Sequence, residues 1–127
     1  MINSVDPPDV PRHRNPIPAA AIHRGILASS AISGLDPSTG TYPGEKAVQV
    51  ETAFRNMQSI LEAAGANWQD VIKMDLYFRD KADRKLVNPH WLEIYPDESA
   101  RPARHAHVAD LPDGCCLQIT FLAVMED

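Results

Sequence analysis

Between residues 45 and 64 the apolar positions recur at steps of three and four, with Val50, Ala53, Phe54, Met57, Ile60, Leu61 and Ala64 on one side. Glu51, Arg55, Gln58 and Glu62 occupy the other side, and Gly65 follows as the left-handed stop that helices favour. The pattern predicts an amphipathic helix over 45–64 whose apolar stripe is core and carries no chemistry. Residues 71–78 alternate instead, with Ile72, Met74, Leu76 and Phe78 on one face and Val71, Lys73, Asp75 and Tyr77 on the other, which predicts a half-buried strand. Residues 22–32 are apolar or small, without charge after Arg24, and run into the turn-rich stretch GLDPSTGTYPG. They read as a strand or a strand pair.

Residues 80–95 form a shorter helical region, with Asp80 or Asp83 as N-cap and Leu86, Leu92 and Tyr95 facing inward. Pro89 predicts a break, or a new helix starting near Asn88 with the proline at its first position, and Pro96 ends the region. Residues 104–109 and 117–125 read as two strands of a hairpin around Leu111-Pro112-Asp113-Gly114. Five of the 11 prolines fall in the first 18 residues, which predicts an extended arm over 1–15 followed by a single domain over 16–127. The order of strands, long helix, strand, helix and two strands describes an α+β sandwich with both helices on one face of a mixed sheet. A chain this small has no third layer for the other face, so self-association is expected to cover it.

Composition narrows the partners. At 127 residues, 44% hydrophobic and 23% charged, the chain is one compact domain rather than a disordered segment. Its 12 Lys+Arg against 17 Asp+Glu leave a net charge of −5, and Arg12 and Arg14 alone do not make the basic stripe that nucleic acid requires. No stretch approaches the roughly 18 apolar residues of a membrane span, and the polar, Pro-rich start does not resemble a secretory signal. The adjacent Cys115 and Cys116 cannot readily bridge to one another and suit a reducing compartment. The expectation is a cytoplasmic protein without nucleic-acid or membrane partners.

Few residues announce chemistry. His105 and His107 would share a strand face, but no carboxylate or thiol set with recognised metal spacing accompanies them, so no metal site is expected. The vicinal cysteines lack Cys-x-x-Cys spacing, and Gly34, Gly40 and Gly44 lack the pattern of a phosphate loop. Arg104 is more informative. Alternation sets it with Ala106 and Val108, opposite His105 and His107, where its fork of donors suits either a ligand carboxylate or a structural ion pair.

An ordered set of short pieces gives the chain a resemblance. They are Ser30, the run Leu35-Asp36-Pro37-Ser38-Thr39-Gly40, Gln49 with Asn56, Ile60-Leu61-Glu62-Ala63-Ala64-Gly65 and Asp70-Val71-Ile72-Lys73. Asn88, Pro102-Ala103-Arg104, Leu111-Pro112 and Ile119 with Ala123 complete it, so most of the chain after the arm is covered. In these pieces the chain resembles the RidA (YjgF) family of enamine/imine deaminases. The resemblance implies a chorismate-mutase-like α+β fold, a homotrimer whose sheets form a central barrel, and a pocket at each subunit interface. It implies that Arg104 grips the carboxylate of a 2-imino or 2-enamino acid while Asn88 and the backbone around Ala31 and Ala106 shape the pocket. The implied chemistry is hydrolysis of C=N to a keto acid and ammonia, without a cofactor.

Three positions depart from the family pattern. The last strand of active relatives carries a Glu that positions or activates water, and counting from Leu111-Pro112 puts Gln118 there, which can hold water but cannot take its proton. Thr120, two residues on, also stands where many relatives have an acid. The family's Gly-Pro-Tyr segment is Asn15-Pro16-Ile17 here, so Ile17 replaces a pocket tyrosine. These changes suggest a pathway-specific substrate such as an aminomuconate-type enamine. The alternative they leave open is a non-catalytic sensor or scavenger that captures a small carboxylate on Arg104. His105 or His107 as a substitute base would point away from Arg104, and Glu126 and Asp127 read as solvated terminal acids.

Overall fold

A computed structural model describes residues 1–126; Asp127 lies outside the described residues. The strands are β1 (Asn3–Val5), β2 (Ala20–His23), β3 (Ile26–Ser29), β4 (Ile32–Ser33), β5 (Val71–Phe78), β6 (Ala103–Val108) and β7 (Leu117–Val124). The helices are α1 (Lys46–Ala63) and α2 (Arg84–Ile94). The strands form one mixed sheet in the order β1-β2-β3-β7-β5-β6, with β4 also on β7. Every pairing is antiparallel except β5 with β6. The α+β architecture with a helical layer on one sheet face is therefore as the sequence predicts.

The helix predicted over 45–64 is α1, and Gly65 takes φ +77° just past its end. Its stripe of Val50, Ala53, Phe54, Met57, Ile60 and Leu61 is buried against Met74, Leu76 and Phe78 of β5, Leu117, Ile119 and Phe121 of β7, and Leu27 of β3. The segment read as a strand or strand pair is the hairpin β2–β3. Arg24 and Gly25 both have positive φ at its two-residue turn, the primed geometry whose twist matches that of the flanking strands. The residues of the arm ahead of its first proline pair as β1 along the outer edge of β2.

Four local expectations are corrected. β6 and β7 are not a hairpin: β6 runs parallel to β5, and β7 lies on β5's other side. The connection therefore passes over the end of β5, where Arg79 donates to the carbonyls of Leu111 and of Pro112, the latter at 2.8 Å. A parallel pair needs a long crossover, and α2 supplies it between β5 and β6. Pro89 does not break α2, which runs through it with a single ladder donor missing while Val87 and Trp91 anchor the helix in the core. Of the residues expected inward on that helix, Tyr95 is buried and Leu86 packs at the core margin, but Leu92 is 54% exposed. Finally, a bulge between Val71 and Lys73 turns Ile72 outward, away from Met74, Leu76 and Phe78. Asp80 caps a 3-10 turn before α2 by accepting from the Ala82 amide, whereas the Asp83 carboxylate pairs with Lys46 Nζ at 2.9 Å and so joins the starts of both helices.

Two buried amides tie α1 to the loops. Gln49 Nε2 donates to the carbonyls of Pro43 (3.1 Å) and Gly114 (2.9 Å), and its Oε1 accepts from the Cys116 amide (2.6 Å). Asn56 Nδ2 donates to the carbonyls of Ser33 and Leu35, both at 3.0 Å. Gly34 crosses α1 so closely that a Cβ there would sit 2.1 Å from the Gln49 carbonyl oxygen. The sheet face away from the helices is uncovered: Ile26 is 49% and Val124 44% exposed, with Leu122 beside them.

Replacing Gln49 by Leu strands three backbone groups, and Gln49→Leu is expected to lower stability by about 2–4 kcal/mol in urea unfolding. Gly34→Ala is expected to be at least as damaging. Burial pushes the Cys115 thiol up and the Cys116 thiol up to about 11, so both are protonated at neutral pH. Maleimide labelling at pH 7 should leave the folded protein unmodified and reach both thiols only in denaturant.

Candidate functional site

A cavity of about 660 Å³ opens beside the end of the sheet where β4 meets β7. Its wall combines residues 10–14 of the arm, Ala31, Ser33 and Leu35, Tyr42, the α1 side chains Asn56 and Ile60, Pro112 with Asp113, and Gln118. Local hydrogen bonds place these parts. Ser30 donates its hydroxyl to the Pro18 carbonyl (2.8 Å) and its amide to the Ala19 carbonyl (2.9 Å), fixing Ala31 at the wall. Asp36 accepts from both the Ser38 amide (2.9 Å) and hydroxyl (2.7 Å), donors that hold its carboxyl below the ordinary value and stiffen the loop leading to Tyr42. Burial in turn pushes the Tyr42 phenol up.

The sequence-predicted site residues divide into two groups. Ala31 and Gln118 meet in this cavity. Ile17, half exposed, borders a shallower groove of about 330 Å³ that shares Arg12 and His13 with it. Arg104, Ala106 and Asn88 are elsewhere. Arg104 pairs in register with the fully buried Met74, and Ala106 with Leu76, so both are on the helix-facing side of β6. Gln118 pairs with Tyr77 and Thr120 with Asp75, on the opposite side. Sheet alternation thus puts Arg104 and Gln118 on opposite faces of one sheet.

Arg104 is half-buried, with its guanidinium carbon 5.1 Å from the centroid of the Trp91 ring, a cation–π contact. Burial first, and the nearby Arg84 second, pull its pKa below the ordinary value. Among the described residues no carboxylate lies within salt-bridge distance of it, so the structural ion pair weighed from the sequence is not formed. Arg84, Asn88 and Trp91 follow one another at helical spacing on α2, which puts Asn88 on the stripe that carries Arg104's aromatic partner.

Three features escaped the sequence. Tyr42 sits in a loop whose course is invisible from composition. Arg12, His13 and Arg14, too few for a nucleic-acid patch, nonetheless gather at one cavity. His105 and His107 share a face as expected, but they do meet a carboxylate: Asp75 of β5, paired directly with His105, whose Oδ1 is 2.9 Å from His107 Nε2. The His107 hydrogen bond, with Lys73 and His105 adding to it, holds the Asp75 carboxyl below its usual value despite partial burial. The partner set was missed because it comes from a strand some 30 residues upstream rather than from local spacing.

Comparison with known proteins supports the fold and shows the family. The mouse 2-iminobutanoate/2-iminopropanoate deaminase is 36% identical over 110 residues, covering 84% of this chain and 78% of that protein. A RutC family protein of Synechocystis is 32% identical over 113 residues, covering 87% and 86% respectively. The crystal structure of RidA from an Antarctic Psychrobacter superposes with a TM-score of 0.87 at 26% identity, over 97% of this chain and 99% of that one. The model of the Endoribonuclease L-PSP family matches residues 11–125, and the chain belongs to that family, the RidA (YjgF) proteins.

Proposed function

We propose that this protein is a hydrolytic deaminase that converts a 2-imino or 2-enamino acid to a keto acid and ammonia, in a site completed between copies of the chain. The observation that carries the reading is Arg104: a half-buried guanidinium, oriented by Trp91, that no carboxylate among the described residues neutralises. A ligand carboxylate supplies the missing charge through a bidentate pair. Since Arg104 and Ala106 lie on the helix-facing side of β6, with Asn88 on the helical layer, while Gln118 lies on the opposite face and shares its cavity with Ala31, a second copy must bring the two groups together. The uncovered Ile26, Leu122 and Val124 give that copy an apolar face to bury, and a homotrimer built around a central barrel closes such an arrangement. Imine-deaminase relatives at 32–37% identity support the reaction class.

The chemistry asks little of the protein. Water adds to the C=N carbon, a proton reaches nitrogen, and the carbinolamine expels ammonia to leave the keto acid. Gln118 orients the water but accepts no proton, so the basic substrate nitrogen takes it, and rate comes mainly from positioning. No cofactor takes part. Arg12, His13 and Arg14 in the same cavity favour an enamine with a second anionic group, of the aminomuconate type. The family model's name carries an endoribonuclease activity; a net charge of −5 favours a small molecule over RNA here. Among the described residues no helix is long and apolar enough to cross a membrane, and the proposed setting is the cytoplasm.

Gln118 favours one other reading, capture of a small carboxylate without turnover. Keto-acid release from freshly generated 2-iminopropanoate, 2-iminobutanoate and an aminomuconate-type enamine separates the two. Wild type should accelerate at least one of them, Arg104→Ala should lose about a hundredfold or more of that acceleration, and Gln118→Glu should raise turnover about tenfold. Absence of acceleration, with keto-acid binding that vanishes in Arg104→Ala, would leave the binding module. Light scattering should give near 3 × 14.0 kDa, and a monomer would remove the composite site altogether.

A further inference from the structure

The sheet face away from the helices carries a cluster that the proposed reaction does not use. Asp75 and His105 are direct partners in the parallel β5–β6 register, and His107 is two residues along on the same face. His107 Nε2 is 2.9 Å from Asp75 Oδ1, and His105 Nδ1 is 4.0 Å from the same oxygen. One ligand atom from each residue lies within 4.8 Å of the other two. These positions are set by a backbone ladder rather than by loops. His107 is further held by stacking on Tyr77, with centroids 4.6 Å apart and planes 13° from parallel.

We infer that Asp75, His105 and His107 form a binding site for a divalent transition-metal cation, of which Zn²⁺, Co²⁺ and Ni²⁺ are the best matched. Two imidazoles and a carboxylate are the donor set these ions take, whereas Mg²⁺ and Ca²⁺ require oxygen donors throughout. Metal–ligand bonds of about 2.0–2.2 Å put tetrahedral ligand atoms roughly 3.3 Å apart. The Asp75–His107 separation is already near that, and His105, whose side chain is 64% exposed, closes the rest by turning its ring. Three protein ligands leave a position open for water or a small anion. Opposing the ion is Lys73, whose ammonium lies 3.7 Å from Asp75 Oδ2 and competes for the carboxylate. The inference does not rest on the deaminase reading, because none of the three residues touches Arg104 or is needed for imine hydrolysis.

The test uses the untagged full chain, stripped of metal by a chelator and then titrated with Zn²⁺ by calorimetry and with Co²⁺ by visible absorption. One ion per chain is expected. Asp75→Ala and His107→Ala should each weaken binding roughly tenfold or more, and His23→Ala, at an exposed histidine outside the cluster, should not. Lys73→Ala should tighten binding severalfold, a gain that no loss of folding can imitate. Zn²⁺ should raise the melting temperature of wild type but not of His107→Ala. No saturable uptake by wild type, or uptake unchanged in both Asp75→Ala and His107→Ala, overturns the inference. Imine turnover measured on the same metal-free preparation reports on the deaminase separately.

Discussion

Gln49 is the tie on which the cavity end of the molecule depends. It is buried on the first turns of α1, yet its amide is fully engaged by two carbonyls and one backbone N–H from two different loops. Those loops have little apolar content of their own to hold them down. Gly34 must pass against the Gln49 backbone for the bonds to form, which leaves no room for a side chain there. Asn56, two helical turns on, repeats the device for Ser33 and Leu35. Of the residues so fixed, Ser33 and Leu35 are also walls of the cavity, where Pro112 and Asp113 join them next to the anchored Gly114. Its shape follows from an internal hydrogen-bond network rather than from the ligand.

From that rigid end the sheet distributes the remaining chemistry by parity. Successive side chains of a strand alternate between faces, so Arg104 goes to the helix side and His105 and His107 go to the other. On β7 the same rule sends Ile119 and Phe121 into the core and Gln118 and Thr120 outward. On the proposed reading each chain presents two incomplete halves beside an uncovered apolar patch. In the proposed assembly, burial of Ile26, Leu122 and Val124 contributes through the hydrophobic effect, and the same contact brings the halves into register.

Strong local patterns were legible. The three-four periodicity of α1, the Gly65 stop and the β2–β3 pair depend on residues within a few positions of one another, and alternation alone set Arg104 opposite the histidines. What failed was decided at a distance. Leu111-Pro112-Asp113-Gly114 has turn chemistry, but the choice between hairpin and crossover fell to Arg79, at the end of a strand 32 residues earlier. Pro89 lost to the burial of Val87 and Trp91, which outweighs one missing hydrogen bond. Asp75 meets the histidines only because β5 and β6 pair in parallel across α2. For the candidate site, Arg104 was readable as an unusual charge among small residues, whereas its stacking on Trp91 and the gathering of Tyr42, Arg12 and Arg14 required the fold.

The polar groups of this protein can be sorted by whether the chain satisfies them. Gln49, Asn56 and the Lys46–Asp83 pair are answered from within, and each joins elements that would otherwise separate. Arg104 is not answered by any carboxylate among the described residues. Desolvating a guanidinium without a counter-charge is unfavourable, and Trp91 offsets only part of it through its ring face. An internal carboxylate would relieve the rest but would also compete with any ligand for the same donors. On the proposed reading, leaving that charge open lowers the stability of the free protein and reserves the interaction for a bound carboxylate. The same reasoning separates the two clusters of the sheet: at Arg104 an unmatched cation suits an anion, while at Asp75 two imidazoles converge on one carboxylate. On the proposed readings the first takes a substrate carboxylate and the second a cation, and within one chain they lie on opposite faces of the sheet.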